Sequence, residues 1–266
     1  MNFIYINPIA VKIGPLQIHW YAICIVLAII CALYLTLREA RKVGIAEDNV
    51  YDFLILGLPI AFIGARIYYV IFEWSYYQEH LSQIWAIWNG GIAIYGGLIA
   101  GALFLWYFCR KRQINIIKYL DILAPAVLLA QAIGRWGNFF NHEAYGPVVS
   151  RHFLESLHLP QFIIANMQVN GLYHAPTFLY ESMWSLIGVI LLLSYRKFKK
   201  VLYVGEMTSL YLMWYSFGRF FIEGLRMDSL YLFGFLRISQ LVSVILFGLG
   251  IYVMYCAHRK KNKEYI

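Results

Sequence analysis

A run of polar and charged side chains interrupts the apolar sequence between residues 134 and 146, and it holds groups that can bind an anion. Arg135 contributes a guanidinium, a permanent cation whose planar donors suit a phosphate group. If the chain stays helical through His142, then Arg135, Asn138 and His142 lie on one helix face. The spacing therefore predicts a polar helix face at this point.

Two more residues of this run widen the chemistry that it can perform. Asn141 can hold the oxygens of a ligand as Asn138 can, and Glu143 can pair with an arginine or accept a proton. A plainer interpretation is an Arg–Glu pair that tethers the end of a helix to its loop. Several amides and ions in succession exceed what a tether needs, so the pattern favours a functional site.

A second polar set lies on a later apolar segment. Tyr215, Arg219, Glu223 and Arg226 follow one another at helical steps, and at about 100° per residue they form one narrow stripe. Such a stripe cannot face lipid tails, so it must face the interior of a helix bundle or a polar cavity. Two interpretations stay open, a site for an anionic ligand and a ladder of salt bridges between helices.

Glycines accompany Tyr95 in the third apolar segment. Gly96 and Gly97 follow it directly, and glycine allows a second helix or a ligand to approach the backbone closely. Helix packing alone explains the pattern, and lipid binding is the alternative, with the Tyr95 hydroxyl at the edge of that surface.

Three residues stand out singly. Tyr21 opens the first apolar segment beside Trp20, whose default role is anchoring at the membrane interface. Arg66, in the second segment, is either a snorkelling residue or a further contact for a lipid phosphate. Glu181, near the start of the fifth segment, can balance the charge of one of the arginines.

The elements that position these residues are membrane helices. The chain is 61% hydrophobic and 14% charged, whereas soluble domains carry about 25% charged residues. A spanning helix needs about 20 mostly apolar residues. About seven segments meet this need, near residues 18–37, 53–72, 92–108, 120–139, 177–195, 207–222 and 238–255. We predict an all-α integral membrane protein, a bundle of about seven transmembrane helices.

The positive charges predict an orientation. Clusters of Lys and Arg follow the first, third, fifth and seventh segments, whereas the loop after the second has Glu73 and Glu79 and no Lys or Arg. The positive-inside rule then places the N-terminus outside and the C-terminus in the cytoplasm. The clusters are Arg38, Arg41 and Lys42; Arg110, Lys111, Arg112 and Lys118; Arg196, Lys197, Lys199 and Lys200; and Arg259, Lys260, Lys261 and Lys263. This topology explains the net charge of +8 without a nucleic-acid partner.

We expect a single transmembrane domain over residues 1–266, with a small external cap near residues 141–176, the longest connection between predicted spans. The four cysteines form no CxxC pair, and no His spacing completes a zinc site. We therefore expect no disulfide, no metal and no cofactor.

The run from Gly134 to Gly146 resembles the signature of the prolipoprotein diacylglyceryl transferase family, with Gly134-Arg135, a small residue before Asn138-Phe139, then Asn141-His142-Glu143 and Gly146. Other landmarks occur in the family's order, so the resemblance covers nearly the whole chain. They are His19-Trp20-Tyr21, Tyr95-Gly96-Gly97-Leu98, Pro176 with Tyr180-Glu181, and Gly218-Arg219-Phe220 with Glu223 and Arg226.

The resemblance implies an enzyme of the bacterial cytoplasmic (inner) membrane. It would transfer the diacylglyceryl group of phosphatidylglycerol to the thiol of the lipobox cysteine in a prolipoprotein signal peptide, leaving a thioether and glycerol phosphate. Family positions regarded as essential or important match Tyr21, Arg135, Asn138, Glu143, Gly146, Arg219 and Glu223. We predict that Arg135, Asn138, Glu143, Arg219 and Glu223 are catalytic, and that Tyr21, Tyr95, Gly96, Gly97, Asn141, Gly146, Tyr215 and Arg226 bind substrate.

One position departs from the family pattern. Many members have a histidine, considered as the proton acceptor, where this chain has Tyr95. A phenol titrates near pH 10, so the base lies elsewhere or no dedicated base is needed. We expect Glu143 and Glu223 to hold the arginines, and one of them is a candidate to accept the thiol proton.

The alternatives are a polytopic transporter that uses intramembrane Arg and Glu, and a transferase of lipid headgroups with another acceptor. A transporter predicts internal repeats, and the sequence shows no convincing one.

Overall fold

The computed structural model describes residues 5–14, 16–199, 201–227, 231–232 and 236–259. Helices dominate it, joined by short antiparallel strand pairs. The helices are α1 Trp20–Lys42, α2 Glu47–Phe72, α3 Trp74–Tyr77, α4 Ile94–Lys111, α5 Ile116–Phe140, α6 Arg151–Ser156, α7 Gln161–Asn166, α8 Thr177–Phe198, α9 Glu206–Glu223 and α10 Ile238–Arg259. The strands are β1 Ile9–Ile13, β2 Leu16–His19, β3 Gln168–Val169, β4 Leu172–Tyr173, β5 Tyr231–Leu232 and β6 Leu236–Arg237. They form three two-stranded ribbons, in which β1 pairs with β2, β3 with β4 and β5 with β6.

Among the described residues, five helices are long and apolar enough to cross a membrane, namely α1, α2, α5, α8 and α10. Helices α4 and α9 have 18 residues each, about 27 Å of helix, slightly less than the roughly 30 Å of bilayer hydrocarbon. The chain is therefore a multi-pass, all-α membrane protein, and the count of seven spans stays a prediction.

Basic residues close four of the helices, as the charge pattern predicted. They are Arg41 and Lys42 in α1, Arg110 and Lys111 in α4, Arg196 and Lys197 in α8, and His258 and Arg259 in α10. Lys200, Lys260, Lys261 and Lys263 lie outside the described residues. The orientation in the membrane stays a prediction.

Contacts divide the described chain into two units, of which one is Leu37–Tyr119. In this unit α2 and α4 cross closely at Gly64 and Gly96. A methyl group on Gly64 would come 2.2 Å from the Ala100 Cβ, and one on Gly96 would come 2.4 Å from the Gly64 carbonyl oxygen. Larger residues at these points would force the helices apart, so the glycines near Tyr95 have a packing role.

The other unit comprises the described residues before Leu37 and after Tyr119. Here α8 and α9 interlock through two tryptophans. Trp184 donates to the Trp214 carbonyl and Trp214 to the Trp184 carbonyl, each at 3.0 Å, and the indole rings stack 4.2 Å apart. Each indole covers a glycine of the opposite helix, Trp184 over Gly218 and Trp214 over Gly188. A slide of one helix along the other would break both contacts, so this pair sets the register of the two helices.

Residues 141–176, here called the cap segment, fold onto the end of α5 in this same unit. Two short helices, α6 and α7, precede the ribbon of β3 and β4, and Ser150 caps α6 by accepting a hydrogen bond from the Phe153 amide at 3.1 Å. Their apolar residues share one buried cluster with α5 and α8. Its buried members are Phe139, Leu154, Ile163, Ile164, Met167 and Phe178.

Candidate functional site

Glu181 of α8 is the centre of a buried ion cluster, and its residue is only 7% exposed. Arg135 of α5 places Nη2 2.8 Å from Glu181 Oε2. Arg219 of α9 donates from Nη1 to both carboxylate oxygens at 3.1 Å. Arg226, just beyond the end of α9, has Nη1 3.6 Å from Glu181 Oε1. Three cations thus share one carboxylate.

The register of the helices brings these residues together. Glu181 lies one turn before Trp184, and Arg219 directly follows Gly218, on which the Trp184 indole rests. The start of α8 is itself fixed, because Thr177 donates from Oγ1 to the Ala144 carbonyl at 2.7 Å. The interlock therefore holds Glu181 opposite Arg219.

A second carboxylate supports the cluster from α9. Glu223 is 2% exposed, and its Oε2 lies 2.5 Å from Nη2 of Arg219, four residues earlier in the helix. Arg237 donates to the Glu223 carbonyl oxygen. The stripe predicted from the sequence is confirmed for Tyr215, Arg219 and Glu223, which lie in one helix, whereas Arg226 lies beyond its end.

Asn138 connects Arg135 to Glu143. Its Oδ1 accepts a hydrogen bond from Arg135 Nη1 at 3.3 Å, and its Nδ2 donates to Glu143 Oε1 at 3.0 Å. The Glu143 backbone amide also donates a hydrogen bond to the Asn138 carbonyl oxygen at 3.0 Å. The expectation that Glu143 holds an arginine is therefore met only through this amide, since Glu181 and Glu223 make the direct contacts described above.

The condition under which Arg135, Asn138 and His142 would share a helix face is not met. Helix α5 ends at Phe140, and His142 and Ala144 adopt left-handed backbone conformations with φ of 52° and 56°. The sharp turn directs the His142 ring away from the face of Arg135. Its Nδ1 lies 3.1 Å from the Asn166 carbonyl oxygen, its Nε2 lies 3.2 Å from that of Ile6, and its ring stacks on Tyr5 at 4.5 Å.

This turn presents Glu143 toward solvent between two strained residues. Left-handed conformations cost non-glycine residues about 1–2 kcal/mol each, so the surrounding contacts must over-determine the turn. The His142 ring contacts supply one half of that constraint. The other half comes from Thr177 on the Ala144 carbonyl and from the Gly146 amide, which donates to the Ala175 carbonyl at 3.0 Å.

The linked groups can bind an anion. Four arginines and three glutamates are connected by these contacts, namely Arg135, Arg219, Arg226, Arg237, Glu143, Glu181 and Glu223. Preorganised guanidinium donors in a water-poor site stabilise charge that develops on a phosphate. Within the described ranges, no group of three His, Cys, Asp or Glu residues is placed to hold a metal ion.

A family model described as prolipoprotein diacylglyceryl transferase matches residues 8–256. The chain belongs to the prolipoprotein diacylglyceryl transferase family. It is 53% identical over its full length to the phosphatidylglycerol–prolipoprotein diacylglyceryl transferase of Enterococcus faecalis, covering 95% of that protein. It is 55% identical to the enzyme of the same name from Ligilactobacillus salivarius, over 93% of this chain and 92% of the relative. The resemblance read from the sequence is confirmed.

The residues predicted to bind substrate in this diacylglyceryl transferase family member have varied surroundings. The Tyr21 ring covers Gly137, where a methyl group would come 2.7 Å from it. Tyr215 stacks on Tyr211 at 5.8 Å. Asn141 has a buried Oδ1 with no hydrogen-bond partner among the described residues. Substrate contact by these side chains stays a prediction.

The glycines predicted to bind substrate are tightly packed. A methyl group on Gly146 would come 2.9 Å from the Ala175 Cβ. Tyr95, Gly96 and Gly97 belong to the unit Leu37–Tyr119, where Gly97 faces the Ala61 carbonyl and Tyr95 is 36% exposed. Packing accounts for these glycines, and lipid contact by this stretch stays a prediction.

Glu181 has more charged partners than the sequence predicts. The sequence predicts a counter-charge for one arginine, whereas three arginines contact Glu181 in the structure. The signal in the sequence is that Glu181 is the single carboxylate of its apolar segment, while two other apolar segments bear arginines. Trp184, Trp214 and Asn166 were not identified at all, because nothing in their local sequence distinguishes them from ordinary packing residues.

Proposed function

We propose that this chain transfers the diacylglyceryl group of phosphatidylglycerol to the thiol of the lipobox cysteine of prolipoproteins. The chain is a transferase by its family, and the names of its relatives supply the donor and the class of acceptor. The observation that carries the assignment in this molecule is the buried cluster in which Arg135, Arg219 and Arg226 share Glu181. The guanidinium donors that converge there fit the phosphate of an anionic lipid.

The reaction is a displacement at a glycerol carbon. A carbon–sulfur bond forms as the thiolate attacks, and the carbon–oxygen bond to phosphate breaks, so that glycerol phosphate leaves with the electron pair. Arg135 and Arg219 bind the phosphate and Arg226 assists them. Each guanidinium has five donors, so a phosphate can share Arg135 and Arg219 with Glu181. The charge that develops on the leaving group is thereby stabilised in place.

Glu143 is our candidate for the acceptor of the thiol proton. A free thiol has a pKa near 8.5, so a base helps to form the thiolate at neutral pH. Glu181 and Glu223 are engaged by arginines, whereas Glu143 is exposed and accepts a hydrogen bond from the neutral Asn138 amide. A carboxylate in that position can take a proton and release it to water. Asn138 then orients both Glu143 and the headgroup glycerol.

The remaining predictions belong to the same proposal. Seven spans, with the N-terminus outside the bacterial cytoplasmic membrane, place the cap segment on the outer face, where prolipoproteins emerge. The basic residues that end α1, α4, α8 and α10 support this orientation. We expect Tyr21, Asn141, Gly146 and Tyr215 to contact the substrates, and lipid contact by Tyr95, Gly96 and Gly97 is a separate prediction. No cofactor, metal or nucleic acid takes part.

The test is transfer of label in reconstituted vesicles. Purified protein is incubated with phosphatidylglycerol labelled in its diacylglyceryl part and a lipobox peptide, beside the same peptide with Cys→Ser. We expect label on the cysteine peptide only, and at least a hundredfold lower rate for Arg219→Gln. Arg112→Gln is the matched control, because Arg112 pairs with Asp52 at an exposed position. A normal rate for Arg219→Gln would remove the phosphate-binding role, and no label on either peptide would remove the proposed function.

A further inference from the structure

A small cavity in the cap segment has no part in the reaction described above. Its volume is about 140 Å³, and Tyr5, Arg151, Gln161, Gln168 and Tyr173 line it. Pockets for whole small-molecule ligands measure about 300 Å³ or more, so the cavity is too small for a lipid. It has room for one side chain with its peptide group.

The lining suits an uncharged polar ligand or a peptide group. The amides of Gln161 and Gln168 offer both donors and acceptors. Arg151 is engaged, with Nε 2.8 Å from Glu155 Oε1, and this hydrogen bond is the main cause that raises the pKa of Arg151 above its ordinary value. The charge at this edge is thus balanced locally. Ile164 supplies a buried apolar wall, so the cavity can cover both the polar and the apolar part of one residue.

A short chain of contacts joins the cavity to the turn that presents Glu143. The Tyr5 ring, which forms one wall, stacks on the His142 ring at 4.5 Å. The Ile6 amide donates to Asn166 Oδ1 at 2.8 Å, and Asn166 is 2% exposed. His142 contacts the carbonyls of both Ile6 and Asn166. The cavity wall and the Glu143 turn are therefore parts of one hydrogen-bonded structure.

We propose that this cavity binds the acceptor polypeptide just beyond its cysteine, by taking up one of the first residues that follow the thiol. This proposal rests on the proposed function. An acceptor chain whose thiol lies at Glu143 and which runs past His142 meets Tyr5 next, because the two rings stack. An extended chain advances about 3.3 Å per residue. The wall of the cavity lies one ring beyond His142, so a few residues cover the distance. The cavity thereby recognises the part of the acceptor that the lipobox does not include.

The experiment compares two acceptor peptides, one ending at the lipobox cysteine as an amide and one extended by five residues. In the wild-type protein we expect kcat/KM for the extended peptide to be about tenfold higher, as a few peptide hydrogen bonds provide. Gln161→Leu should remove this advantage while leaving the rate of the short peptide and the KM for phosphatidylglycerol unchanged. Gln78→Leu, another exposed glutamine in the other unit, is the matched control and should keep the advantage.

The readout is a ratio within one protein preparation, so a loss of folded protein cancels. Gln168→Leu, also exposed, provides a second variant of the cavity. Equal rates for the two peptides in the wild-type protein, or a full advantage retained in both cavity variants, would overturn the proposal. Labelling of neither peptide would instead remove the proposed function, and this proposal with it.

Discussion

Arg66 and Arg219 are both half-buried or buried cations in apolar helices, yet their surroundings differ in kind. Arg66 is 7% exposed and donates to four backbone carbonyls, of Gln83, Ile84, Gly90 and Gly91, at 2.6–2.9 Å. Its guanidinium carbon also lies 5.2 Å from the centre of the Tyr77 ring. All of its nitrogens are occupied by parts of the same unit.

Arg219 is held by carboxylates instead. Glu181 and Glu223 contact it, and Glu181 is shared with Arg135 and Arg226. Neutral backbone carbonyls use up the hydrogen-bond donors of the Arg66 guanidinium. A carboxylate that three arginines share instead brings several guanidinium groups together at one point. The comparison teaches that the partners of a buried arginine indicate its role. Arg66 fastens the loop between α2 and α4, which argues against its interpretation as a lipid-phosphate contact. Anion binding by Arg219 stays part of the proposed function.

The largest effect that tests this contrast is expected from Glu181→Gln. The change removes the shared charge and leaves three arginines to repel one another. We expect transfer activity to fall at least a hundredfold, the range for loss of preorganised electrostatic groups. Glu47→Gln is the matched control, because Glu47 pairs with Arg41 at an exposed position, and it should keep its activity. Near-normal activity of Glu181→Gln in the vesicle assay would contradict the role of Glu181 as the centre of the site.

Arg66→Met should affect stability rather than chemistry. It leaves four carbonyls without their donor, and each unsatisfied buried group costs about 1–3 kcal/mol. We expect a lower thermal midpoint in detergent, corresponding to about 3 kcal/mol or more, with turnover per folded molecule within a few-fold of wild type.

Arg112→Met serves as the reference for this measurement, because an exposed ion pair contributes less than about 1 kcal/mol. The contrast with Arg219 would fail if Arg66→Met kept its stability but lost turnover.

Gly188→Ala should produce an intermediate effect through the register of α8 and α9. A methyl group there would come 2.4 Å from Trp214 Nε1, and overpacking typically costs about 1–3 kcal/mol. Because the interlock holds Glu181 opposite Arg219, we expect activity to fall together with the thermal midpoint. Gly248→Ala, where a methyl group meets nothing within 4 Å, should be neutral or slightly stabilising. A silent Gly188→Ala would show that the register has other determinants.

Lys199 should give the smallest effect on transfer, and it tests whether pairing with a carboxylate is sufficient for function. Its Nζ lies 2.5 Å from Glu206 Oε1, in a contact that no arginine of the site shares within the described residues. Burial lowers the pKa of Lys199, but hydrogen bonds from Nζ to Glu206 and Tyr195 outweigh it, so the pKa is raised. The stabilisation is then complete below the ordinary pKa of about 10.4 and is lost as the pH rises through the folded value.

For Lys199→Met we expect unchanged transfer, together with a loss of stability at pH 8, because the fully buried Glu206 loses one of its partners. Thermal midpoints of the wild-type and variant proteins should converge as the pH rises through the raised pKa of Lys199. Loss of transfer activity in this variant would contradict the distinction between Lys199, which we expect only to stabilise the fold, and Arg219, which we expect to bind the phosphate.

Much of the site could be predicted from the sequence, because its features are local. Helical spacing placed Tyr215, Arg219 and Glu223 on one face, and the signature run contained Arg135, Asn138 and Glu143. Long apolar segments predicted the helices, since burial of apolar length in lipid dominates their formation.

Other features depend on contacts between distant segments. The turn after Phe140 is stabilised by Asn166 and Ile6, and no pattern near His142 specifies it. The central place of Glu181 follows from the register of α8 and α9, which two tryptophans determine across 30 residues. The β1–β2 ribbon was not predicted either, because its strands are short and mostly exposed.

The tryptophan–glycine interlock also constrains how this sequence can change over generations. Trp184 requires Gly218, and Trp214 requires Gly188, so neither glycine can acquire a side chain unless the facing indole is lost first. Loss of either tryptophan also removes the hydrogen bond that its indole donates to a backbone carbonyl of the opposite helix. Drift at these four positions must therefore proceed in coordinated steps, and lineages that keep one member of the set will tend to inherit all four.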